Sequence, residues 1–114
     1  MNIPDSSKFV RLPVITLCGS VKYVEEAVRA DNALSKAGWC VIPYTLPLTL
    51  LGEAEELTDE EKQLYDDIHD KKIRMSQAIY VINVDGYIGK STRREIEFAK
   101  TLGKDIYYLE ESNN

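Results

Sequence analysis

Ala78 to Ala99 reads AIYVINVDGYIGKSTRREIEFA, an apolar run followed by a glycine-containing loop and then by a helical pattern. The run at 78–82 is short and rich in β-branched residues, which is typical of a strand buried on both faces of a parallel sheet. In the helical part, apolar spacing puts positions 95, 98, 99 and 102 on one face. The stretch therefore predicts a strand, a loop at its carboxyl end, and a helix that turns Glu95 toward the core.

Glu95 allows two interpretations. In the first, Ser91 or Thr92 caps the helix, and Thr92 and Glu95 form a capping box, which is a common structural role for a glutamate. In the second, Glu95 lies in the first turn, where the positive end of the helix dipole keeps it ionised beside the loop, and it is a candidate nucleophile. Glu97 is expected to point to solvent.

The chain has 114 residues and a formal net charge of −5. This length suits one domain, residues 1–114, so a second substrate-binding lobe would have to come from another subunit. The negative charge argues against a nucleic-acid polymer or an anionic membrane as the main partner and favours a small molecule. The amino terminus lacks a signal-peptide core, and no segment approaches the roughly 20 apolar residues that span a bilayer. We therefore expect a cytoplasmic protein.

The first half of the chain reads as a βαβ unit followed by a loop. A strand is predicted at Val14–Cys18, a helix from Ser20 to about Ala37, and a second strand at Trp39–Ile42. The segment Tyr44–Leu57 has no clean period and is expected to form a long loop with a short helical turn. Such a loop in a small domain often forms part of a binding wall.

The second half repeats the alternation. A second helix is predicted to begin at the capping box Thr58–Glu61 and to end near Ser76 or Gln77. A last strand is predicted at 105–109, after the helix that carries Glu95. The residues of the second helix predicted to face inward are Leu64, Ile68 and Met75.

This order of elements predicts a Rossmann-like or flavodoxin-like α/β fold, a parallel sheet of about four strands in the order 2-1-3-4 with helices on both faces. In that order the winding reverses between strands 1 and 3, where ligands bind outside the carboxyl ends of the strands. The loops at that point are Cys18–Ser20 and Asn83–Ser91. The sequence therefore predicts one crevice between two glycine-containing loops.

The helix starts at this crevice offer backbone amides and a positive dipole end, which suit a phosphate or a sugar hydroxyl. Lys22 and Lys90 could add positive charge for a phosphate. The alternative is that the glycines only permit tight turns and that both lysines are solvated. Neither loop has the GxGxxG spacing or the P-loop pattern, so no nicotinamide or other cofactor is expected. The candidate substrate-binding residues are Cys18, Gly19, Ser20, Lys22, Gly89, Ser91 and Thr92.

Cys18 and Cys40 each belong to an apolar, strand-like run and are expected to be reduced, buried thiols. Cys18 directly precedes Gly19 and could approach a ligand, but no histidine or other base lies near it in the sequence to activate it. The chain has one histidine and no CxxC or HxxxH spacing. We therefore expect no metal site.

Three segments, ITLCGS at 15–20, HDKKIRMSQAIYVIN at 69–83 and STRREIEFAKTLGK at 91–104, together resemble the nucleoside 2-deoxyribosyltransferase superfamily. That superfamily includes deoxynucleoside 5′-monophosphate N-glycosidases. The resemblance covers about Val14 to Leu109, and its most specific part is Glu95-Ile96-Glu97-Phe98-Ala99. It implies that Glu95 attacks the anomeric carbon of a nucleoside or nucleotide, displaces the base, and forms a glycosyl-enzyme that water or a second base resolves.

A carboxylate suits this chemistry, because cleavage of an N-glycosidic bond passes through an oxocarbenium-like state that an anion stabilises. A general acid must protonate the leaving base, and the candidates are Asp85, Tyr87 or an acidic residue of the Tyr44–Glu61 loop. Tyr44 or Tyr87 could also stack on the base. His69 falls where relatives have polar active-site residues and is a further candidate substrate-binding residue, although a solitary helical histidine is more often packed or solvated.

The chain departs from the family pattern at two places. Gln77 stands at the start of strand 3, where relatives usually have an aspartate, and Val21-Lys22 follows the Gly-Ser turn, where the hydrolases often have an arginine. An alternative function is a binding or sensor module that holds a nucleotide-derived ligand without cleaving it.

Self-association is the remaining expectation. Relatives complete their sites with residues of a neighbouring subunit, so the resemblance implies a homodimer or a larger homo-oligomer. The apolar residues of the long loop that could be buried in such an assembly are Leu46, Leu48, Leu50 and Leu51.

Overall fold

Strands and helices alternate along residues 1–111, the part of the chain that the computed structural model describes. The strands are β1 (Val14–Gly19), β2 (Cys40–Ile42), β3 (Ala78–Ile82) and β4 (Asp105–Tyr108). The helices are α1 (Val24–Lys36), α2 (Asp59–Arg74) and α3 (Lys90–Thr101). Short 3-10 turns lie at Ser6–Lys8, Val21–Tyr23, Leu48–Leu51 and Val84–Gly86. The helical turn expected in the long loop is thus present, at Leu48–Leu51.

The sheet has the order β2-β1-β3-β4, and every neighbouring pair of strands is parallel. The predicted order 2-1-3-4 is therefore confirmed. β1 and β3 pair from Ile15 with Ala78 to Gly19 with Ile82, so the two strands end side by side. The loops that follow them consequently start from the same edge of the sheet.

Each face of the sheet is covered by helix, which confirms the predicted α/β architecture. Because side chains alternate along a strand, β1 contributes to two different layers. The α1 layer consists of Ile15, Leu17, Ala27, Ala30, Leu34, Trp39, Tyr44, Ala78, Tyr80, Ile82 and Leu109. The α2/α3 layer has the apolar residues Cys18, Ile73, Ile79, Val81, Ile96 and Ala99, together with the buried polar residues Thr16, His69, Ser76, Thr92 and Glu95.

The segment before β1 closes the α1 layer. The indole N–H of Trp39 donates to the carbonyl of Pro4 at 3.0 Å, and the hydroxyl of Tyr80 donates to the carbonyl of Asn2 at 2.6 Å. Two large aromatic residues are thereby buried with their polar atoms bonded, as buried Trp and Tyr usually are.

The inward face of α2 differs from the prediction. Its capping box is confirmed, with Thr58 and Glu61 bonded reciprocally, but the helix ends at Arg74. The predicted inward residues Leu64, Ile68 and Met75 are all exposed, and the buried positions are His69 and Ile73. A helix of 16 residues is about 24 Å long, which exceeds the length of the strands beside it. Only the carboxyl-terminal half of α2 therefore packs on the sheet.

The start of α3 also differs. Its N-cap is Gly89, and no side chain caps the helix, so the prediction of a Ser91 or Thr92 cap and of a Thr92–Glu95 capping box is wrong. Because the helix begins earlier than predicted, Thr92 lies inside it and is buried, and Glu95 falls in the second turn rather than the first. Glu97 is exposed, as expected.

Two smaller findings complete the fold. Cys40 is exposed, which corrects the expectation of two buried thiols, because β2 is a short strand at the edge of the sheet. Within residues 1–111, no helix combines the length and apolar character needed to cross a membrane.

Candidate active site

The crevice lies where the chain leaves β1 and β3. Gly19 ends β1 against Ile82, and a Cβ at position 19 would lie 2.9 Å from the Ile82 Cβ, so the close approach requires glycine. A cavity of about 320 Å³, the loop cavity, is lined by Gly19, Ser20, Val21, Tyr87, Gly89, Lys90, Ser91 and Thr92. A cavity of about 150 Å³, the acid cavity, is lined by Gly19, Val21, Tyr44, Thr45, Tyr65, Asp66, His69 and Glu95. The two cavities share Gly19 and Val21 and therefore adjoin.

The loop cavity brings together most of the predicted substrate-binding residues. Ser20 accepts a hydrogen bond from the Lys22 N–H at 3.2 Å and caps the turn at Val21–Tyr23. The Lys22 ammonium lies over two aromatic rings, 4.5 Å from the centroid of Tyr87 and 5.2 Å from that of Tyr23. Lys22 thus stands beside Tyr87 without lining the cavity, held there by cation–π contacts.

Glu95 is a buried carboxyl group at the wall of the acid cavity. The pKa of Glu95 is raised from 4.5 to about 7, mainly by burial, with Arg94 lowering it and Asp66 and Asp70 raising it. The expectation that the helix dipole keeps Glu95 ionised is therefore wrong. The effect of the helix dipole falls off within the first turn, and Glu95 lies in the second. The loss of hydration on burial therefore decides the direction of its pKa shift.

His69 faces Glu95 across the acid cavity, with Nε2 3.5 Å from the Glu95 Oε2. The pKa of His69 is lowered from 6.5 to about 4, mainly by burial and also by Lys72 and Arg94, against a smaller opposing effect of Asp66. The imidazole is consequently neutral at pH 7, and its contact with Glu95 is not an ion pair. Near neutral pH, Glu95 is therefore the member of the pair that gains or loses a proton.

Cys18 lies next to His69 and Glu95, deeper in the core. Its Sγ is 3.3 Å from the His69 Nε2, and the side chain is fully buried, so Cys18 does not line either cavity as a substrate-binding residue would. Burial raises the pKa of the thiol well above its ordinary value, with a further increase from Glu95. Cys18 Sγ, His69 Nε2 and a Glu95 carboxylate oxygen all lie within 4.8 Å of one another, and we call them the three-donor cluster.

The candidates for a general acid separate clearly. Asp85 lies in an exposed turn with a φ of 53°, and its N–H donates to Glu110 at 2.8 Å, so it is not brought to either cavity. Tyr87 lines the loop cavity and is 44 % exposed. Tyr44 lines the acid cavity, and burial raises its pKa to about 12, so its hydroxyl stays protonated.

Sequence reasoning missed Thr45, Tyr65 and Asp66, which line the acid cavity. Asp66 precedes His69 by three residues on α2, so helical spacing could have placed both on one face. The Arg94 guanidinium lies 3.2 Å from Asp70 and 4.0 Å from Asp66. Arg94 thereby ties α3 to α2 beside the cavity and fixes the separation of the helices that carry Glu95 and His69.

The arrangement offers a carboxyl group that changes protonation near pH 7, a neutral imidazole and a second carboxyl group, that of Asp66, around one small cavity, beside a larger cavity at a helix start. Comparisons of the chain with protein-family models, with curated proteins and with solved structures found no match.

Proposed function

We propose that the protein cleaves the N-glycosidic bond of a deoxynucleoside or its 5′-monophosphate, or transfers the sugar to a second base, with Glu95 as the nucleophile. The observation that carries the proposal is the buried Glu95 carboxyl group at the wall of a cavity on the carboxyl edge of a parallel sheet. The resemblance of 15–20, 69–83 and 91–104 to the nucleoside 2-deoxyribosyltransferase superfamily supports the same role.

In the first step, an ionised Glu95 oxygen bonds to the anomeric carbon while the bond from that carbon to the base nitrogen breaks. The electron pair leaves with the base, which takes a proton from a general acid. In the second step, water or a second base attacks the same carbon, and the glycosyl ester breaks to return the Glu95 carboxylate. Water gives one proton to the deprotonated general acid, and the free sugar or sugar phosphate leaves; when a second base attacks instead, it loses its proton to the same group and a new nucleoside or nucleotide leaves.

Asp66 is the general acid that we propose, on the ground of its position alone. It lines the same cavity as Glu95, whereas Asp85 lines neither cavity. Tyr44 lines that cavity too and keeps its proton, but its hydroxyl donates to the Ser20 carbonyl at 3.4 Å and must release that bond before it can donate to the base.

The loop cavity suits the sugar and its 5′ substituent. The amino terminus of α3 opens there, and Ser20, Lys90 and Ser91 line the cavity. Backbone amides, hydroxyls and an ammonium group are the donors that a phosphate prefers. This part of the proposal favours a nucleoside monophosphate over an uncharged nucleoside.

Self-association belongs to the same proposal. Leu46, Leu48, Leu50 and Leu51 are exposed, with Leu51 at 74 %, as a surface that binds a second copy would require. The homodimer or larger homo-oligomer stays a prediction.

The test is base release by metal-free protein, in the presence of a chelator, from deoxynucleosides and deoxynucleoside 5′-monophosphates. We expect free base by chromatography, and a loss of at least about 1,000-fold in Glu95→Gln and Glu95→Ala because the nucleophile is gone. Glu97→Gln, on the exposed face of the same helix, is the matched control and should retain the rate. A 2-fluoro-deoxynucleoside should leave a sugar adduct on Glu95 detectable by mass spectrometry.

Two results would contradict the proposal. Base release that survives in Glu95→Gln would remove Glu95 from the reaction. Saturable binding of a nucleotide without base release, unchanged in Glu95→Gln, would assign the crevice to a binding or sensor module instead.

A further inference from the structure

The three-donor cluster brings a thiol, an imidazole and a carboxyl group within 4.8 Å of one another. In a thiol–imidazole–carboxylate relay, the acid holds Nδ1 of the imidazole and the nucleophile faces Nε2. Here the same nitrogen, Nε2 of His69, faces both Cys18 Sγ at 3.3 Å and Glu95 Oε2 at 3.5 Å. The cluster is therefore not a relay, and its three donor atoms all lie within 4.8 Å of one another.

The separations fit a tetrahedral ion. Zn²⁺ bonds of about 2.3 Å to sulfur and about 2.0 to 2.2 Å to nitrogen and oxygen place ligand atoms about 3.4 to 3.6 Å apart in a tetrahedron. Two of the three separations, 3.3 Å from Cys18 Sγ to His69 Nε2 and 3.5 Å from His69 Nε2 to Glu95 Oε2, lie close to this range, and the third is within 4.8 Å. Thiolate, imidazole and carboxylate together are a ligand set for Zn²⁺ or Co²⁺ and a poor one for Mg²⁺ or Ca²⁺.

The ligands stand on three rigid elements. Cys18 lies on β1, His69 on α2 and Glu95 on α3, and the contact of Arg94 with Asp70 holds the two helices together. His69 and Glu95 also line the acid cavity, which gives an ion a path to the cluster and leaves room for a water molecule as the fourth ligand.

We propose that Cys18, His69 and Glu95 bind one Zn²⁺ ion, with water completing the tetrahedron, and that the bound ion switches off Glu95 as a nucleophile. The binding part is independent of the proposed function, whereas the inhibitory part rests on it. On binding, the Sγ–H proton and any proton on Glu95 pass to solvent, and the metal takes their place with no change of oxidation state.

Inhibition follows from charge. A zinc-bound Glu95 oxygen has donated a lone pair to the metal, so it is a weaker nucleophile. The dipositive ion beside it also repels the positive charge that develops at the anomeric carbon, and this repulsion is strong in a buried site. Glu95 therefore cannot bind Zn²⁺ and act as a nucleophile at the same time.

The binding test is a Co²⁺ titration of the metal-free full-length protein. We expect one equivalent to produce a thiolate-to-cobalt charge-transfer band with the visible bands of a tetrahedral site, and Zn²⁺ to displace it. Cys18→Ser and His69→Gln should each weaken Zn²⁺ binding by more than the roughly 10- to 100-fold that loss of an outer hydrogen-bond partner of a ligand costs. Cys40→Ser, which removes the exposed thiol, is the matched control and should keep the band.

No thiolate band in the wild-type protein, a band that survives in Cys18→Ser, or a band lost in Cys40→Ser would each overturn the site. Circular dichroism of Cys18→Ser and His69→Gln shows whether each variant is folded, so at least one ligand can be judged if the other variant unfolds.

The activity test compares rates of base release with and without Zn²⁺ in each variant. One equivalent of Zn²⁺ should lower the rate of base release at least tenfold in the wild-type protein and in Cys40→Ser. In Cys18→Ser the rates with and without Zn²⁺ should be nearly equal. Cobalt binding without any base release would leave the metal site standing and contradict the proposed function. Base release that Zn²⁺ does not inhibit, with the thiolate band present, would overturn the switch.

Discussion

The two layers that cover the sheet are built on the same strands but differ in the side chains that they bury. The α1 layer is built from apolar and aromatic side chains such as Leu17, Leu34 and Tyr80. The α2/α3 layer buries His69 and Glu95 together with hydroxyl groups, and among the described residues no buried side-chain N or O atom lacks a hydrogen-bond partner. One layer thus supplies hydrophobic stability, and the other holds titratable groups that only packing and hydrogen bonds keep in place.

The largest expected effect comes from the α1 layer. Leu34 is fully buried on α1, so Leu34→Ala should lower the free energy of unfolding by about 2 to 5 kcal/mol through lost burial and a cavity. Urea denaturation of the wild-type protein and the variant measures this. Leu51→Ala, at a leucine that is 74 % exposed, should change stability by less than about 0.5 kcal/mol. Similar losses at both sites would show that Leu34 is not a core residue.

An intermediate effect, of opposite sign, is expected in the α2/α3 layer. Folding raises the pKa of Glu95 from 4.5 to about 7, so the native state of the metal-free protein holds the extra proton between these values. The free energy of unfolding therefore falls as pH rises through that window, and the full cost is present above it. Glu95→Gln carries no charge and should be more stable than the wild-type protein by about 1 to 3 kcal/mol near pH 8.

The same pair of proteins should have nearly equal stability near pH 5, where Glu95 is protonated in the native state. Thermal denaturation at a series of pH values, in the presence of a chelator, measures the difference in stability between the two proteins. Glu97→Gln is the control, because Glu97 is exposed and should show no comparable gain on the alkaline side. A variant that is less stable than the wild-type protein at pH 8 would mean that Glu95 is ionised and well solvated in the native state.

The smallest effect tests the hydrogen bonds of the α2/α3 layer. The Ser76 hydroxyl lies 2.6 Å from Thr16 Oγ1 and donates to the carbonyl of Lys72 at 2.8 Å. Ser76→Ala should cost about 1 kcal/mol, because Thr16 still donates to the same carbonyl and no buried donor is stranded. Ser35→Ala removes an exposed hydroxyl bonded to Asp31 and should cost less. Equal losses in the two variants by urea denaturation would show that burial adds nothing to these bonds.

Most of the architecture could be predicted from the sequence, because strand and helix periods and capping residues are local properties. The alternation of apolar runs and helices fixed the strand order, and Thr58 with Glu61 marked the start of α2 correctly. The errors came where local patterns competed. Gly89, rather than Ser91 or Thr92, begins α3, and the exposed Leu64 and Ile68 follow a helical spacing that α2 does not bury.

The candidate site was less predictable. Glu95 could be singled out from its position in the helix after β3, but its neighbours come from distant parts of the chain. Cys18 and His69 are 51 residues apart, so no spacing rule relates them. Asp66 lies on α2 and lines the acid cavity with Glu95 of α3, whereas Asp85 lies in the loop after β3 and lines neither cavity.

The sequence by itself determined the parallel α/β sheet, the position of the crevice between β1 and β3, and the inward face of α3 that carries Glu95. Only the tertiary structure decided that Glu95 is buried against His69 and Cys18, with a pKa raised to about 7 instead of lowered by a helix dipole. The physical reason is that periodicity and capping depend on neighbours within a few residues, whereas desolvation and the meeting of donor atoms depend on which elements the fold brings together.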